Sequence, residues 1–400
     1  MEAVAYDWVS LLLRWTHVIV GIAWIGSSFF FVWLDLSLRK RETGEPADPA
    51  IQGEAWLVHG GGFYFVEKYL NAPERMPADL HWFKYEAYFT WITGFLLLAV
   101  IYYWGAESFL IDPEVMALSQ WEAIGISMAL LAAGWIVYDL ICRSPIGGNT
   151  ALLAIAVFIL TVGSAWIFQQ LFSGRGAYVH AGAAIGTMMA ANVFFIIIPN
   201  QKKTVAALMA GEVPDIKWGK QAKQRSFHNN YLSLPVLLMM ISSHYPMTYG
   251  HDQAWMIFGG IVILGAVIRD FFNTHNAGGH GLAIYWQWPV AALMVLGLIW
   301  FTTPVAATLG EDEEIMSSTD ALAIAQVRCV ICHSATPRHP DIEKAPGGMK
   351  FDTVAEIRIH RVKILAQAVL SKSMPLGNET KMTQEERRKL GLWIRSGAPD

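Results

Sequence analysis

Eight apolar stretches, each close to the roughly twenty residues needed to cross a hydrocarbon core, recur along the first three quarters of the chain. They lie near 8–36, 85–105, 120–142, 149–171, 178–199, 227–246, 251–273 and 282–306. Lipid offers no partner to a backbone N–H or C=O, so such stretches can only be helices. The pattern predicts an all-α, polytopic membrane bundle of about eight spans over residues 1–308. Composition agrees: 54% of residues are hydrophobic and 16% charged, against roughly 25% charged in an average soluble domain. The 17 Trp, 20 Phe and 13 Tyr suit rings collected at two membrane interfaces. A net charge of -4 with no basic block argues against nucleic acid as a partner. Met1 to Asp7 carry acids and no Lys or Arg, a poor start for a signal peptide, and the apolar run after them is too long for one.

Charges between the stretches predict orientation. Arg39, Lys40, Arg41, Lys68, Arg75 and Lys84 fall in the first loop, Arg143 in the third, and Lys202, Lys203, Lys217, Lys220, Lys223 and Arg225 in the fifth. Loops two and six hold no Lys or Arg, and loop four holds only Arg175. Positive residues collect on the cytoplasmic side, so both termini are expected outside.

After an acidic linker, 309–318, comes a small segment, 319–400, built around Cys329-Val330-Ile331-Cys332-His333. C-x-x-C-H is the spacing that attaches a c-type haem: two thiols add to the vinyl groups, and the adjacent neutral His reaches the iron. A zinc site would need a second ligand pair, and Cys142 lies far upstream. A thioredoxin-like motif would need a βαβ context. The order of elements resembles a small class I cytochrome c domain: a helix from about Thr319 or Asp320, another over Val354 to Leu370, and a last one opening on Thr383-Gln-Glu-Glu386. Met374, in the loop before that helix, is the expected sixth ligand, with Met349, Met382, His339 and His360 as rivals. Haem c belongs outside the membrane, in agreement with the loop charges.

Polar residues within spans are costly and therefore functional candidates. The topology places His17, His180, His244 and His251 toward the periplasm. It places His59, His81, Glu86, His228, Asn229, Asn230, Arg269, Asp270, His275 and His280 toward the cytoplasm. A single His at a span end is more often interfacial than a ligand; the clustering is what argues for function. His17 through Phe31 and His180 through Phe194 also echo one another, each with an outer His, then small residues, then aromatics. This is either a 4+4 duplication or convergent close packing. A duplication would offer His17 and His180 as a pair for a haem b, which nothing in the sequence requires.

The string Arg225-Ser-Phe-His-Asn-Asn-Tyr-Leu-Ser-Leu-Pro-Val-Leu237, with His244-Tyr-Pro246 after it, resembles the membrane-bound urate hydroxylases that carry a C-terminal cytochrome c. His180 through Pro199-Asn-Gln-Lys-Lys203, His59-Gly-Gly-Gly-Phe-Tyr64 and Met374-Pro-Leu-Gly-Asn378 carry the same resemblance. It implies oxidation of urate to 5-hydroxyisourate in a bacterial inner membrane, with electrons passed to the cytochrome domain. A periplasmic cytochrome or terminal oxidase would take them on. For a flat purine anion the best cytoplasmic set is His228, Asn229, Asn230 and Arg269 with the Gly60-Gly61-Gly62 loop, His228 or His81 serving as base. The reaction yields two electrons and one haem takes one, so either a second carrier or a radical intermediate is needed. A quinol-linked membrane dehydrogenase and a non-enzymatic electron conduit remain as alternatives. The basic residues Arg358, Arg361, Lys363, Arg387, Arg388 and Lys389 form either a solvated surface or a steering patch.

Overall fold

The computed structural model describes residues 2–40, 51–69, 77, 79–303, 315–340 and 342–400. Most of the acidic linker, the end of the last apolar stretch at Pro304, and the loop cations Arg41 and Arg75 lie outside the described residues.

The chain opens with α1 (Glu2–Ser37), followed by an antiparallel hairpin of β1 (Ile51–His59) and β2 (Gly62–Tyr69). Next come α2 (Tyr85–Leu98), which runs into a π-helical segment Ala99–Tyr103, the short α3 (Ala106–Phe109), α4 (Gln120–Arg143) and α5 (Thr150–Gln169). α6 (Gly174–Ala191) continues through a second π segment, Asn192–Ile197, into α7 (Ile198–Met209). α8 (Ile216–Ile241), the short α9 (Pro246–Tyr249), α10 (Ala254–Asn276) and α11 (Gln287–Thr302) complete the bundle. The C-terminal unit is α12 (Ser318–Arg328), α13 (Val354–Ile364) with a third π segment, Leu365–Leu370, and α14 (Gln384–Arg395).

Among the described residues, six stretches are long and apolar enough to cross a membrane: Val4–Ser37, Tyr85–Tyr103, Gln120–Arg143, Thr150–Gln169, Gly174–Met209 and Ala254–Asn276. All eight expected stretches fall on helices, but two stand apart. α11 is apolar and shorter, and α8 carries Lys217, Lys220, Lys223 and Arg225 in its first half. The all-α expectation needs a correction at the hairpin. Gly60 and Gly61 sit at φ +60° and +78°, the backbone a two-residue hairpin turn requires. Residues 51–69 therefore pair as strands, and the Gly-rich loop is a hairpin tip.

Side chains set the helix starts. Ser119 and Glu122 form a capping box for α4, Asn149 caps α5, Ser173 caps α6 and Asp215 caps α8, each satisfying N–H groups that the first turn leaves without partners. α6 is the central helix, packed against α2, α4, α5 and α8. Its Gly and Ala positions admit neighbours closely, around a core that includes Phe168, Ile185, Met188, Met239 and Phe258. α10 crosses α8 where Gly265 meets Pro235: a Cβ at 265 would stand 2.7 Å from Pro235 Cδ. That approach carries Arg269, one turn further along α10, to Asn230, just over one turn earlier on α8. The C-terminal unit has its own core of Phe351, Ile357, Met382, Leu390, Trp393 and Ile394. Its three helices each open on a capping box: Ser317/Asp320, Thr353/Glu356 and Thr383/Glu386.

Candidate functional site

Buried polar side chains gather where α4, α6 and α8 meet. On α4, Tyr138 and Cys142 share one face, four residues apart, while Asp139 and Arg143 share the adjacent one. Arg225 donates from Nη2 to Asp139 Oδ1 at 2.7 Å and from Nη1 to Asn192 Oδ1 at 3.4 Å. Arg143 Nε closes on Asp139 Oδ2 at 2.6 Å. Asn192 Nδ2 donates to the Tyr138 hydroxyl and to Asn229 Oδ1, both at 3.0 Å. Asn229 Nδ2 donates to the Met189 carbonyl at 3.0 Å, which fixes both amides. The Tyr138 hydroxyl lies 2.7 Å from His228 Nδ1. Arg225 lies 4.9 Å over the Tyr138 ring, and Cys142 Sγ is 4.0 Å from His228 Nδ1.

Asp139 neutralises Arg225 inside the protein, as a buried charge demands. The network nevertheless keeps one buried donor, Arg225 Nε, without a partner. Buried donors are almost always satisfied, so this one is open to an acceptor. The π segment beginning at Asn192 sits at this junction, and such local widening of a helix is frequent at functional sites.

A second network occupies the opposite side of α8. Asn230 Oδ1 accepts from Arg269 Nε at 3.2 Å and from Asn273 Nδ2 at 3.1 Å. Arg269 lies 4.0 Å over the Phe29 ring of α1, and Asn230 Nδ2 is another buried donor without a partner. Beside it, the Tyr231 hydroxyl and Gln287 Nε2 donate to Asp270. The structure thus divides the expected set. His228 and Asn229 turn toward α4 and α6, while Asn230 and Arg269 turn toward α10 and α1, because successive helical residues point about 100° apart. Among the described residues His81 joins neither network; its ring packs against Phe83 with centroids 4.5 Å apart.

Sequence reasoning missed Tyr138, Asp139 and Asn192. Asp139 could have been found: an acid inside an apolar helix, four residues before Arg143, is costly unless paired. Tyr138 and Asn192 carry no such local signal.

At the other end of the bundle, His180 is fully buried. Its Nδ1 lies 2.7 Å from the Gly176 carbonyl and its Nε2 2.7 Å from Ser127 Oγ, which in turn meets the Tyr103 hydroxyl at 2.8 Å. His17 instead faces α2, with Nδ1 3.0 Å from Thr93 Oγ1. Both ring nitrogens of His180 are engaged, and the two histidines face different helices. As placed, with both His180 ring nitrogens engaged, the two residues do not fit a bis-histidine haem b.

In the C-terminal unit Cys329, Cys332 and His333 follow directly on α12, with both thiols free. His333 Nδ1 donates to the Met349 carbonyl at 3.0 Å, which leaves the Nε2 lone pair for iron. Burial lowers the His333 pKa from its usual value, so the imidazole stays in the neutral form a metal needs. Burial pushes the Cys329 thiol up to about 12 and raises that of Cys332. These residues fit covalent haem c. Among the rival sixth ligands, Met382 is locked in the core and His339 pairs with Glu379 at 3.2 Å. Met349 packs against the core, and the His360 ring lies 5.9 Å from Phe351. Met374 is partly exposed, on a loop held by Arg387, which donates to the Met374 carbonyl at 2.6 Å and to Asn378 Oδ1 at 3.1 Å.

Comparison with curated proteins and with solved structures finds no match. A family model described as urate oxidase N-terminal matches residues 3–303, the whole helical bundle with both polar networks and the buried His180. On that match, which spans more than half of the chain, the protein belongs to the urate oxidase N-terminal family.

Proposed function

We propose that this protein is a membrane-bound urate hydroxylase that passes electrons to its own C-terminal haem c domain. Family membership supports an oxidoreductase acting on urate. The observation that carries the placement of the site is the Tyr138–His228 hydrogen bond beside Arg225, a buried arginine with an unpartnered Nε.

Urate and water give 5-hydroxyisourate, two electrons and two protons. Arg225 and the Asn192 and Asn229 amides hold the purine anion, with Asp139 keeping the guanidinium in place. His228 is bonded through Nδ1, which leaves Nε2 for the proton of the attacking water. Nδ1 carries its hydrogen in both the neutral and the protonated ring, so the Tyr138 hydroxyl oxygen accepts from it before and after that proton is taken. Asn230 and Arg269 form the neighbouring wall of α8. Cys329, Cys332, His333 and Met374 would hold the haem, which supplies one-electron acceptance. In this reading about eight helices span a bacterial inner membrane with both termini outside, and a periplasmic cytochrome or terminal oxidase takes the electrons onward.

Urate added anaerobically to the purified protein should reduce its haem c, whereas a quinol should not. His228→Gln should slow that reduction by about a hundredfold or more, the usual worth of a general base, with the haem spectrum unchanged. Reduction by quinol but not by urate would overturn the reading.

A further inference from the structure

The C-terminal unit touches the outer end of the bundle through the loop that carries Met374. Two contacts are backbone to backbone. A Cβ on Gly250 would stand 2.3 Å from Ser371 Cα, and a Cβ on Gly377, at φ +56°, would stand 2.9 Å from the Glu107 carbonyl oxygen. Side chains reinforce them. The Tyr249 hydroxyl faces Ser373 and Ser371, Gln384 Nε2 donates to Glu114, and Arg387 feels the negative charges of Glu114 and Asp112. A cleft between the two parts is lined by Asp112, Glu114, Arg175, Lys372, Asn378 and Arg387.

Directly beneath lies the aromatic surround of His180. The Phe172 and Tyr102 rings stand 5.1 and 6.0 Å from the imidazole, Tyr102 lies 6.4 Å from Phe109, and Arg175 covers Phe109 at 5.2 Å. Gly174, the first residue of α6, abuts the Tyr249 carbonyl: its Cβ would lie 2.6 Å away. The loop of the expected iron ligand is therefore seated on α3 and α9, which pack against the start of α6 that leads to His180.

We propose that the Met374 loop is a docking surface, and that its seating on Glu107, Tyr249 and Gly250 is the arrangement in which the C-terminal domain accepts electrons from the bundle. This rests on the urate reading for the source of the electrons, and on the contacts alone for the docking. The haem that Cys329, Cys332, His333 and Met374 would hold accepts one electron at a time, so the two electrons released per urate would cross this contact singly, each to be removed by an external one-electron acceptor before the next.

The test is a cysteine pair, Gly250→Cys with Ser371→Cys, in the full-length haem-loaded protein. A Cβ at 250 would lie 2.7 Å from Ser371 Cβ and 2.3 Å from Ser371 Cα, and disulfide-bonded Cβ atoms stand about 3.8 Å apart, so the two backbones must part by about an ångström for the bond to close. Mild oxidation should protect both introduced thiols from alkylation, as read by peptide mapping, and reductant should restore them. The closed protein should keep the urate-driven rate of haem reduction shown by its reduced form. Gly250→Val should separate the surfaces and slow that reduction by about tenfold or more, as overpacking at a tight contact does, with the haem spectrum unaltered. Thiols that remain open to alkylation, or a closed protein that no longer reduces its haem, would overturn the proposal. Should urate fail to reduce even the unaltered protein, the urate reading falls while thiol closure still reports on docking.

Discussion

Glu386 shows how one side chain serves two structures. Burial works against its ionisation, but the Thr383 N–H and the bidentate Arg328 guanidinium outweigh that and hold the carboxyl below its usual range. A carboxylate with a lowered folded pKa stabilises the fold above its unfolded pKa, and the contribution is lost as pH falls through the folded value. The thermal midpoint of the C-terminal domain, followed at the haem band, should therefore drop as pH falls below about 4.5. Glu386→Gln keeps the capping box and loses the ion pair, so it should lower the midpoint at pH 7 and flatten the acid limb. His180 gives a second expectation at this scale. With both ring nitrogens engaged, a pyridine haemochrome spectrum should show haem c and no haem b. A b-type signal would mean that His180 or His17 leaves its present partners. The C-x-x-C-H pentapeptide was legible because its chemistry is local. Tyr138 and Asn192 were not, because their roles exist only once three distant helices meet.

At the scale of elements, the three π segments adjoin sites of interest. Ala99–Tyr103 puts Tyr102 and Tyr103 beside His180, Asn192–Ile197 opens at the Arg225 network, and Leu365–Leu370 leads into the Met374 loop. Hydrophobic periodicity located the helices, yet it cannot reveal a single wider turn, since the apolar pattern continues through it. Nor did it reveal the hairpin, whose residues 51–69 alternate too irregularly to read as strands. The α8–α10 crossing carries the prediction here. Gly265→Val would push against Pro235 at a cost of about 1–3 kcal/mol and draw Arg269 away from Asn230. The thermal midpoint in detergent should fall. The KM for urate should rise less than in an Arg225→Met variant, because Arg269 lies in the neighbouring wall and Arg225 in the anion site. Equal effects would remove the distinction between the two networks.

For the whole molecule, loop charge and haem chemistry point to one expected topology, and the polar groups of the bundle gather at two separate ends. The Arg225 and Arg269 networks lie at the lysine-rich ends of the helices, and His180 and the Met374 loop at the other. Along α4, Tyr138 and Ser127 are separated by about 16 Å at 1.5 Å per residue, the depth that separates the proposed oxidation site from the outer aromatic cluster. Sidedness can be measured directly. A membrane-impermeant thiol reagent applied to intact cells should label Val115→Cys and should reach Val58→Cys only after lysis; the reverse would invert the topology. Cys329 packs partly buried against the second core, and burial raises its thiol pKa. A raised thiol pKa disfavours the thiolate, the reactive form. Under the proposed haem c reading, thioether formation at Cys329 should therefore run faster on the unfolded C-terminal segment than on the folded one.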